Sequence, residues 1–348
     1  MCIRDSYNNN VIFLEVIMIK KIGVLTSGGD APGMNACLRA IVRSGLVQGL
    51  EIYAIKDGYR GLIDDDIEKM TRHSVSDILN RGGTCIGTAR LPEFKNPDVQ
   101  KKGVEILKSH GIDALVAIGG DGTYQGAQAL HKWGIHTIGI PGTIDNDVAS
   151  SDFTIGFDTA LNTIVECVDR LRDTSTSHQR CSVIEVMGHF CGDLSAYAGI
   201  ACGSELTIIN EQNISEDEII ENLKVEKAKG KRHAMVIISE KVLDVFALAK
   251  RIENEVGFET RAEVLGHMQR GGSPTAFDRV LASRLGDYAV ELLLKDISGV
   301  AVGIKNGQLT YTPIENALSL PRESLLPLIE LGARLKYCLL YTSPSPRD

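Results

Sequence analysis

Ala114-Leu115-Val116-Ala117-Ile118-Gly119-Gly120-Asp121-Gly122-Thr123 is an apolar run of strand length that stops at a glycine-rich turn holding one carboxylate, and a helical pattern follows. A run without polar alternation is the mark of a strand buried on both faces, as in a parallel sheet held between helices. The same unit stands on either side. Upstream, Lys21-Ile22-Gly23-Val24-Leu25-Thr26 runs into Ser27-Gly28-Gly29-Asp30 and a helical stretch from about Met34 to Gln48. Downstream, Thr137-Ile138-Gly139-Ile140 runs into Pro141-Gly142-Thr143-Ile144-Asp145-Asn146-Asp147. Strand followed by polar turn, repeated along the chain, predicts an α/β fold with mainly parallel sheets, and such sheets take their ligands beyond the carboxyl ends of the strands. The three turns are therefore expected at one cleft.

A helix is expected from about Thr159 to Arg172, and the polar run Asp173 to Gln179 is the candidate passage to a second lobe. There Cys181-Ser182-Val183-Ile184-Glu185-Val186 opens a second series, which continues with Ala234-Met235-Val236-Ile237-Ile238 closed by Ser239-Glu240. Ala262-Glu263-Val264-Leu265-Gly266 then leads into His267-Met268-Gln269-Arg270-Gly271-Gly272. The expected organisation is two Rossmann-like sandwich lobes, residues 18–155 and 156–272, with a helical 273–295 and the stretch to about 337 packing back on the first. Residues 1–17 and 338–348 lack amphipathic period and capping pattern, and read as non-native extensions with Met18 as the natural start.

At 348 residues the chain is long enough for two domains of ordinary size. Its 37 Lys and Arg stand against 45 Asp and Glu, and the net charge of −8 argues against generalised binding to nucleic acid or an anionic membrane. Any anionic ligand must be held by discrete sites. The eight cysteines, Cys2, Cys37, Cys85, Cys167, Cys181, Cys191, Cys202 and Cys338, include no C-x-x-C pair, which argues against a zinc site or a disulfide framework. The apolar stretch Val11 to Ile19 is short, broken by Glu15 and followed by no cleavage pattern, so a cytoplasmic protein is expected.

Each turn has its own chemistry. Ser27-Gly28-Gly29-Asp30-Ala31-Pro32-Gly33 has neither Walker nor dinucleotide order, and what it offers is backbone N–H at a helix start, suited to phosphate or to nothing beyond a turn. Asp121, between glycines, is placed to meet a hard cation such as Mg2+, or to cap the helix that follows. Asp145 and Asp147, with the Thr143 hydroxyl beside them, can divide the labour that phosphoryl transfer to an alcohol requires, one carboxylate as general base and the other helping to hold the metal shell, although such a pair in isolation is more often a set of turn residues. Arg180, Arg261, His267 and Arg270 follow or flank strands of the second series and together suggest a phosphorylated substrate, each alone being more often a solvated surface group.

Together these motifs resemble the bacterial type of ATP-dependent 6-phosphofructokinase, almost without gaps from Met18 to about Gly307. The resemblance is carried by KIGVLTSGGDAPGMN at Lys21 to Asn35, IDALVAIGGDGT at Ile112 to Thr123, PGTIDND at Pro141 to Asp147, RLRDTSTSHQR at Arg170 to Arg180 and VLGHMQRGGSP at Val264 to Pro274. It implies two α/β lobes, a homotetramer, and Mg2+-dependent transfer of the ATP γ-phosphoryl group to the 1-hydroxyl of fructose 6-phosphate. In that family pattern Asp145 is the general base, Asp121 holds magnesium and Thr143 contacts the transferred group. Gly29, Arg90, Leu91, Gly120, Asp121, Gly122 and Thr123 would line the ATP site. Thr143, Ile144, Asp145, Met187, Gly188, His189, Glu240, His267, Met268, Gln269 and Arg270 would form the sugar site, joined by Arg180 and Arg261 from a neighbouring subunit.

The resemblance also implies an effector site where ADP activates and phosphoenolpyruvate inhibits, formed by Arg39, Arg43, Arg72, Ser76, Asp77, Arg172, Glu205, Lys229, Lys231 and His233. Relatives that use pyrophosphate usually have Asp at the place of Gly122 and Lys at the place of Gly142, so the glycines here point to ATP: Asp would crowd the ATP α-phosphate, and Lys would help anchor pyrophosphate. The chain departs from the pattern at His189, where the best-known bacterial members have an arginine that stays charged and forks across a phosphate, and at Leu91, which replaces an aromatic residue. The competing readings are a pyrophosphate-dependent phosphofructokinase and a catalytically weak effector-binding subunit; intact Asp121 and Asp145 argue against the second.

Overall fold

The computed structural model describes residues 19–335, so the expected extensions and the proposed start at Met18 lie outside the described residues. The first sheet holds β1 (Lys21–Thr26), β2 (Glu51–Ile55), β3 (Ile67–Met70), β4 (Ala114–Gly119) and β5 (His136–Pro141). Its helices are α1 (Met34–Val47), α2 (Gly58–Ile63), α3 (Pro97–Ser109) and α4 (Asp121–Lys132). The chain then forms α5 (Phe157–His178), β6 (Cys181–Val186), α6 (Asp193–Cys202), β7 (Leu206–Ile208), α7 (Glu216–Ala228), β8 (Ala234–Ser239), α8 (Val245–Glu255) and β9 (Thr260–Val264). It returns through α9 (Ala276–Leu294), β10 (Val300–Lys305), β11 (Gln308–Pro313), α10 (Ile314–Ala317) and α11 (Leu326–Leu335).

Seven strands in the order β11-β10-β5-β4-β1-β2-β3 make the first sheet, and four in the order β7-β8-β6-β9 the second. Only the edge strands β3 and β11 pair antiparallel. Side chains alternate between two cores, as strands covered on both faces require. Val116 and Ile118 of β4 enter the core that also takes in α1 and α9, whereas Leu115 and Ala117 enter the one under α3 and α4. The first of these cores continues into the second sheet through Ile184, Val186, Met235 and Ile237, so one apolar mass joins the two. Among the described residues no helix is long and apolar enough to cross a membrane.

Two expectations are corrected. The polar run after Arg172 is not a passage between lobes, because α5 continues to His178 and ends in the left-handed Gln179. Its polar side chains bond within the helix or beneath it: Ser177 to the Asp173 carbonyl at 2.9 Å, and buried Ser175 to Ser182 at 2.6 Å. The crossing instead falls in residues 142–156, between β5 and α5. The returning segment also divides. α9 packs on α1, and β10 and β11 extend the first sheet, but α11 packs on α6 of the second, with Leu328 and Ile329 against Ala196 and Ile209.

Candidate active site

In the first sheet β1 lies between β4 and β2, so the chain reverses its direction of travel between β1 and β4. That is the topological switch point where loops diverge and leave a crevice. The turns after β1 and β4 flank it and are tied together: Thr123 Oγ1 donates to the Ser27 carbonyl at 2.9 Å. No side chain fits at Gly119, whose added Cβ would stand 2.3 Å from both Ser27 O and Thr123 Oγ1. The turn after β5 joins the pair through the Gly142 N–H, which bonds the Gly119 carbonyl at 3.0 Å. The three sequence turns thus share one edge, and α1 and α4 start there with no side chain capping them, as suits an anion at a helix start.

The catalytic candidates sit in the third turn. Thr143 Oγ1 accepts the Asp145 N–H at 3.1 Å and donates to Asp145 Oδ2 at 3.3 Å. Asp145 is 6% exposed, and its Oδ1, like Oδ1 of Asp147, is buried without a hydrogen-bond partner. Burial pushes the Asp145 carboxyl above its ordinary range, Asp147 and Glu240 add to this, and Arg270 and Thr143 oppose it. Asp147 is raised by burial and then by Asp121, with Arg322 and His189 opposing; burial raises Asp121 too. Three carboxylates therefore feel one another at the switch point.

The second sheet turns its carboxyl edge to this place. Arg270, from the turn after β9, crosses to the first sheet, with Nη2 3.7 Å from Asp145 Oδ2 and Nη1 3.4 Å from the Asp30 carbonyl. Its guanidinium occupies the space above Gly29, where an added Cβ would lie 2.5 Å from Nη1. His189 follows β6 in a left-handed conformation (φ 53°), its N–H held by Glu240 at 2.7 Å and its Nδ1 3.1 Å from Lys241 Nζ. His267 and Met268 are exposed beside Arg270, and Arg90 is exposed at the rim.

Other expected contact residues have their side chains turned elsewhere. Ile144 is wholly buried in the core, Leu91 packs against the core under α3 and α4, and Thr123 is consumed by the tie to Ser27. Gln269 is wholly buried and uses its Oε1 to hold the Met187 N–H at 3.1 Å, so it fixes the loop containing Gly188.

Arg180 and Arg261 do not reach this cleft. They stand where β6 and β9 begin, at the amino edge of the second sheet, and share Glu259 at 2.8 and 2.7 Å. Within one chain they are thus separated from His267 and Arg270, because strand direction parts residues before a strand from those after it. The expected effector residues likewise form two groups. Arg39 and Arg43 of α1 lie beside Arg72, after β3; burial and these two guanidiniums draw the Arg39 value down, and Arg43 Nε is buried without a partner. Ser76 contacts the Arg72 carbonyl at 3.5 Å, and Asp77 turns left-handed at φ 56°. Glu205, Lys231 and His233 belong to the amino edge of the second sheet, with Lys231 2.6 Å from buried Glu205. Arg172 donates to the Cys202 carbonyl, and Lys229 pairs with Glu226 at 2.9 Å.

Three polar residues escaped the sequence reading: Lys241 beside His189, Asp193 beneath the catalytic turn, and Arg322, which pairs with Asp193. Asp193 directly follows Gly192, yet, like the other two, it is brought near the cleft only by the folded chain.

The family model described as phosphofructokinase matches residues 21–293. The ATP-dependent 6-phosphofructokinase of Aliivibrio salmonicida is 56% identical over 319 residues, covering 91% of this chain and all of that one. The enzyme of the same name from Haemophilus influenzae strain 86-028NP is 57% identical over 303 residues, 87% of this chain and 94% of that one. Phosphofructokinase from Saccharomyces cerevisiae superposes with a TM-score of 0.81 at 36% identity over 91% of this chain and 48% of the yeast chain, so this chain spans about half its length. A pyrophosphate-dependent phosphofructokinase from Marinobacter aquaeolei has a TM-score of 0.80 at 19% identity over 89% of this chain and 92% of its own, a likeness of fold.

Proposed function

This chain belongs to the phosphofructokinase family, and from that premise we propose how its residues carry the ATP-dependent phosphorylation of fructose 6-phosphate, a step of glycolysis. The observation that carries the assignment is Asp145 Oδ1: a buried carboxylate oxygen without a partner, on a turn fixed to the phosphate-binding edge. Asp145 takes the proton of the sugar 1-hydroxyl as that oxygen bonds to the γ-phosphorus. The bond from phosphorus to the bridging oxygen breaks, and ADP leaves with that electron pair. Burial supports the role, since a carboxyl raised above its usual range is a stronger base near neutral pH. Thr143 holds the base by its backbone and side chain and steadies the transferred group. Arg270 neutralises charge between base and phosphate turn and takes the sugar phosphate together with His267 and Glu240.

The donor set suits magnesium. Asp121, Asp145 and Asp147 offer hard oxygens with two orphaned atoms, yet among the described residues no three such side chains converge on one metal position. Mg2+ is commonly held by one or two carboxylates and completed by substrate phosphates. Asp121, with Asp147 behind it, would hold the ion, which when bound neutralises charge building on the transferred phosphate.

ATP as donor is supported at Gly122, where an added Cβ meets nothing within 4 Å, leaving room over the first turn of α4. At Gly142 an added Cβ would come 2.9 Å from Ile118 and 3.1 Å from Met34, so a lysine there would have to displace the core as well as change the charge. The same reading takes in a homotetramer in the cytoplasm, with Arg180 and Arg261 serving a neighbour's sugar site. It also takes in regulation by ADP and phosphoenolpyruvate at a site that includes the guanidinium cluster of Arg39, Arg43 and Arg72, where three neighbouring positive charges suit an anion.

Asp145→Asn should lower kcat by about 100-fold or more, as loss of a general base does, with smaller changes in KM. The parent chain, assayed with fructose 6-phosphate, should turn over faster with ATP than with pyrophosphate. A parent that prefers pyrophosphate, or an Asp145→Asn variant whose kcat stays within threefold of the parent, overturns the reading.

A further inference from the structure

Arg322 lies between α10 and α11, beyond the residues that the family model matches. Its guanidinium spans two carboxylates: Asp193, the first residue of α6, and Glu211, whose Oε1 is 3.6 Å from Nη1. Both have a second task in the cleft wall. Asp193 Oδ1 accepts from Asn146 Nδ2 at 3.0 Å, and Glu211 Oε1 accepts the Gly192 N–H at 3.0 Å. Asn146 stands between Asp145 and Asp147 in a left-handed conformation (φ 54°), and its Oδ1 holds the Thr154 N–H at 2.9 Å. Cys191 Sγ, 3.0 Å from Asp193 Oδ2, completes the set.

Asp193 is 5% exposed, and a carboxylate so buried needs its cation: without one it is an uncompensated charge that must draw on other donors. Asn146 is the donor at hand, and it is the residue that sets the turn between the two catalytic-loop aspartates. The loop from Gly188 to Gly192 depends on the same guanidinium through Glu211.

We propose that Arg322 is a positioning residue for phosphoryl transfer, fixing the catalytic turn through Asp193 and Asn146 and the His189 loop through Glu211. The inference rests on the phosphofructokinase reading above. Its ties run to the transfer loops, so its loss should act on kcat.

The test uses the full chain with fructose 6-phosphate and ATP. Arg322→Ala should lower kcat at least tenfold with both KM values within threefold of the parent, and Arg322→Lys, which keeps one ion pair, should recover at least a third of parental kcat. Asp193→Asn should match Arg322→Ala, and the double variant should fall no more than twofold further, since coupled residues are not additive. Should Arg322→Ala fail to fold, Asp193→Asn and Arg322→Lys carry the comparison. A kcat within twofold of the parent in folded Arg322→Ala, or losses that add in the double variant, overturns the inference alone. A parent without ATP-dependent turnover overturns it together with the reading on which it rests.

Discussion

Burial holds the Asp145 carboxyl above the usual aspartate range, with Asp147 and Glu240 adding to the shift and Arg270 and Thr143 opposing it. A carboxyl whose folded pKa exceeds its unfolded value binds its proton more tightly in the folded state, so its ionised form costs stability at neutral pH. That cost fades as pH falls through the folded value and is gone below the unfolded value of about 3.9. The residue that makes the site a base therefore weakens the fold that carries it. Asp145→Asn should raise Tm at pH 7, by about 1–2 °C if the relief is near 1 kcal/mol. The gain should shrink towards pH 4, and melting curves of both proteins at the two pH values read it. A lower Tm for the Asp145→Asn variant at pH 7 would mean that Arg270, 3.7 Å away, outweighs burial.

At the scale of the element, α4 separates donor choice from folding. Gly122 lies exposed in its first turn, and an added Cβ there meets nothing of this chain within 4 Å. An acidic residue in a first turn also suits the helix dipole. Gly122→Asp should therefore keep Tm within about 2 °C, since an exposed substitution away from any packed contact changes stability little. ATP turnover should fall at least tenfold, and paired melting and kinetic measurements separate the two. Unimpaired ATP use would remove Gly122 from the donor argument. The same residues show what a sequence discloses. β1, β4, β5, β6 and β8 were legible because both faces are covered and every position is apolar or nearly so, and the turns after β1 and β4 because glycine beside aspartate has few other uses. β3 and β11 were not, being edge strands with mostly open faces. The end of α5 hid behind polar side chains that bond within the helix or beneath it, Ser177 and His178 to carbonyls one turn back and Ser175 to Ser182, and Arg322 behind a stretch without period.

Over the whole molecule, the two edges of the second sheet serve different places. Its carboxyl edge brings Glu240, His189 and Arg270 to the cleft of its own chain, while its amino edge holds Arg180 and Arg261, paired to Glu259. Residues at opposite ends of parallel strands cannot meet in one chain, so a sugar site that needs both needs a second copy. In a symmetric oligomer each chain then lends these arginines to a neighbour and borrows the neighbour's own. Complementation follows. Asp145→Asn chains and Arg261→Ala chains should each be poorly active, the first through kcat and the second through KM for fructose 6-phosphate. Mixed, unfolded and refolded together in equal amounts, they should form sites in which an intact Asp145 faces an Arg261 lent by the other variant. Random assembly makes roughly a quarter of the sites wild-type on both counts, and activity at low fructose 6-phosphate should recover towards that fraction. If Arg261 served its own chain, every site would lack one group or the other, and refolded mixtures would stay at the average of the two variants.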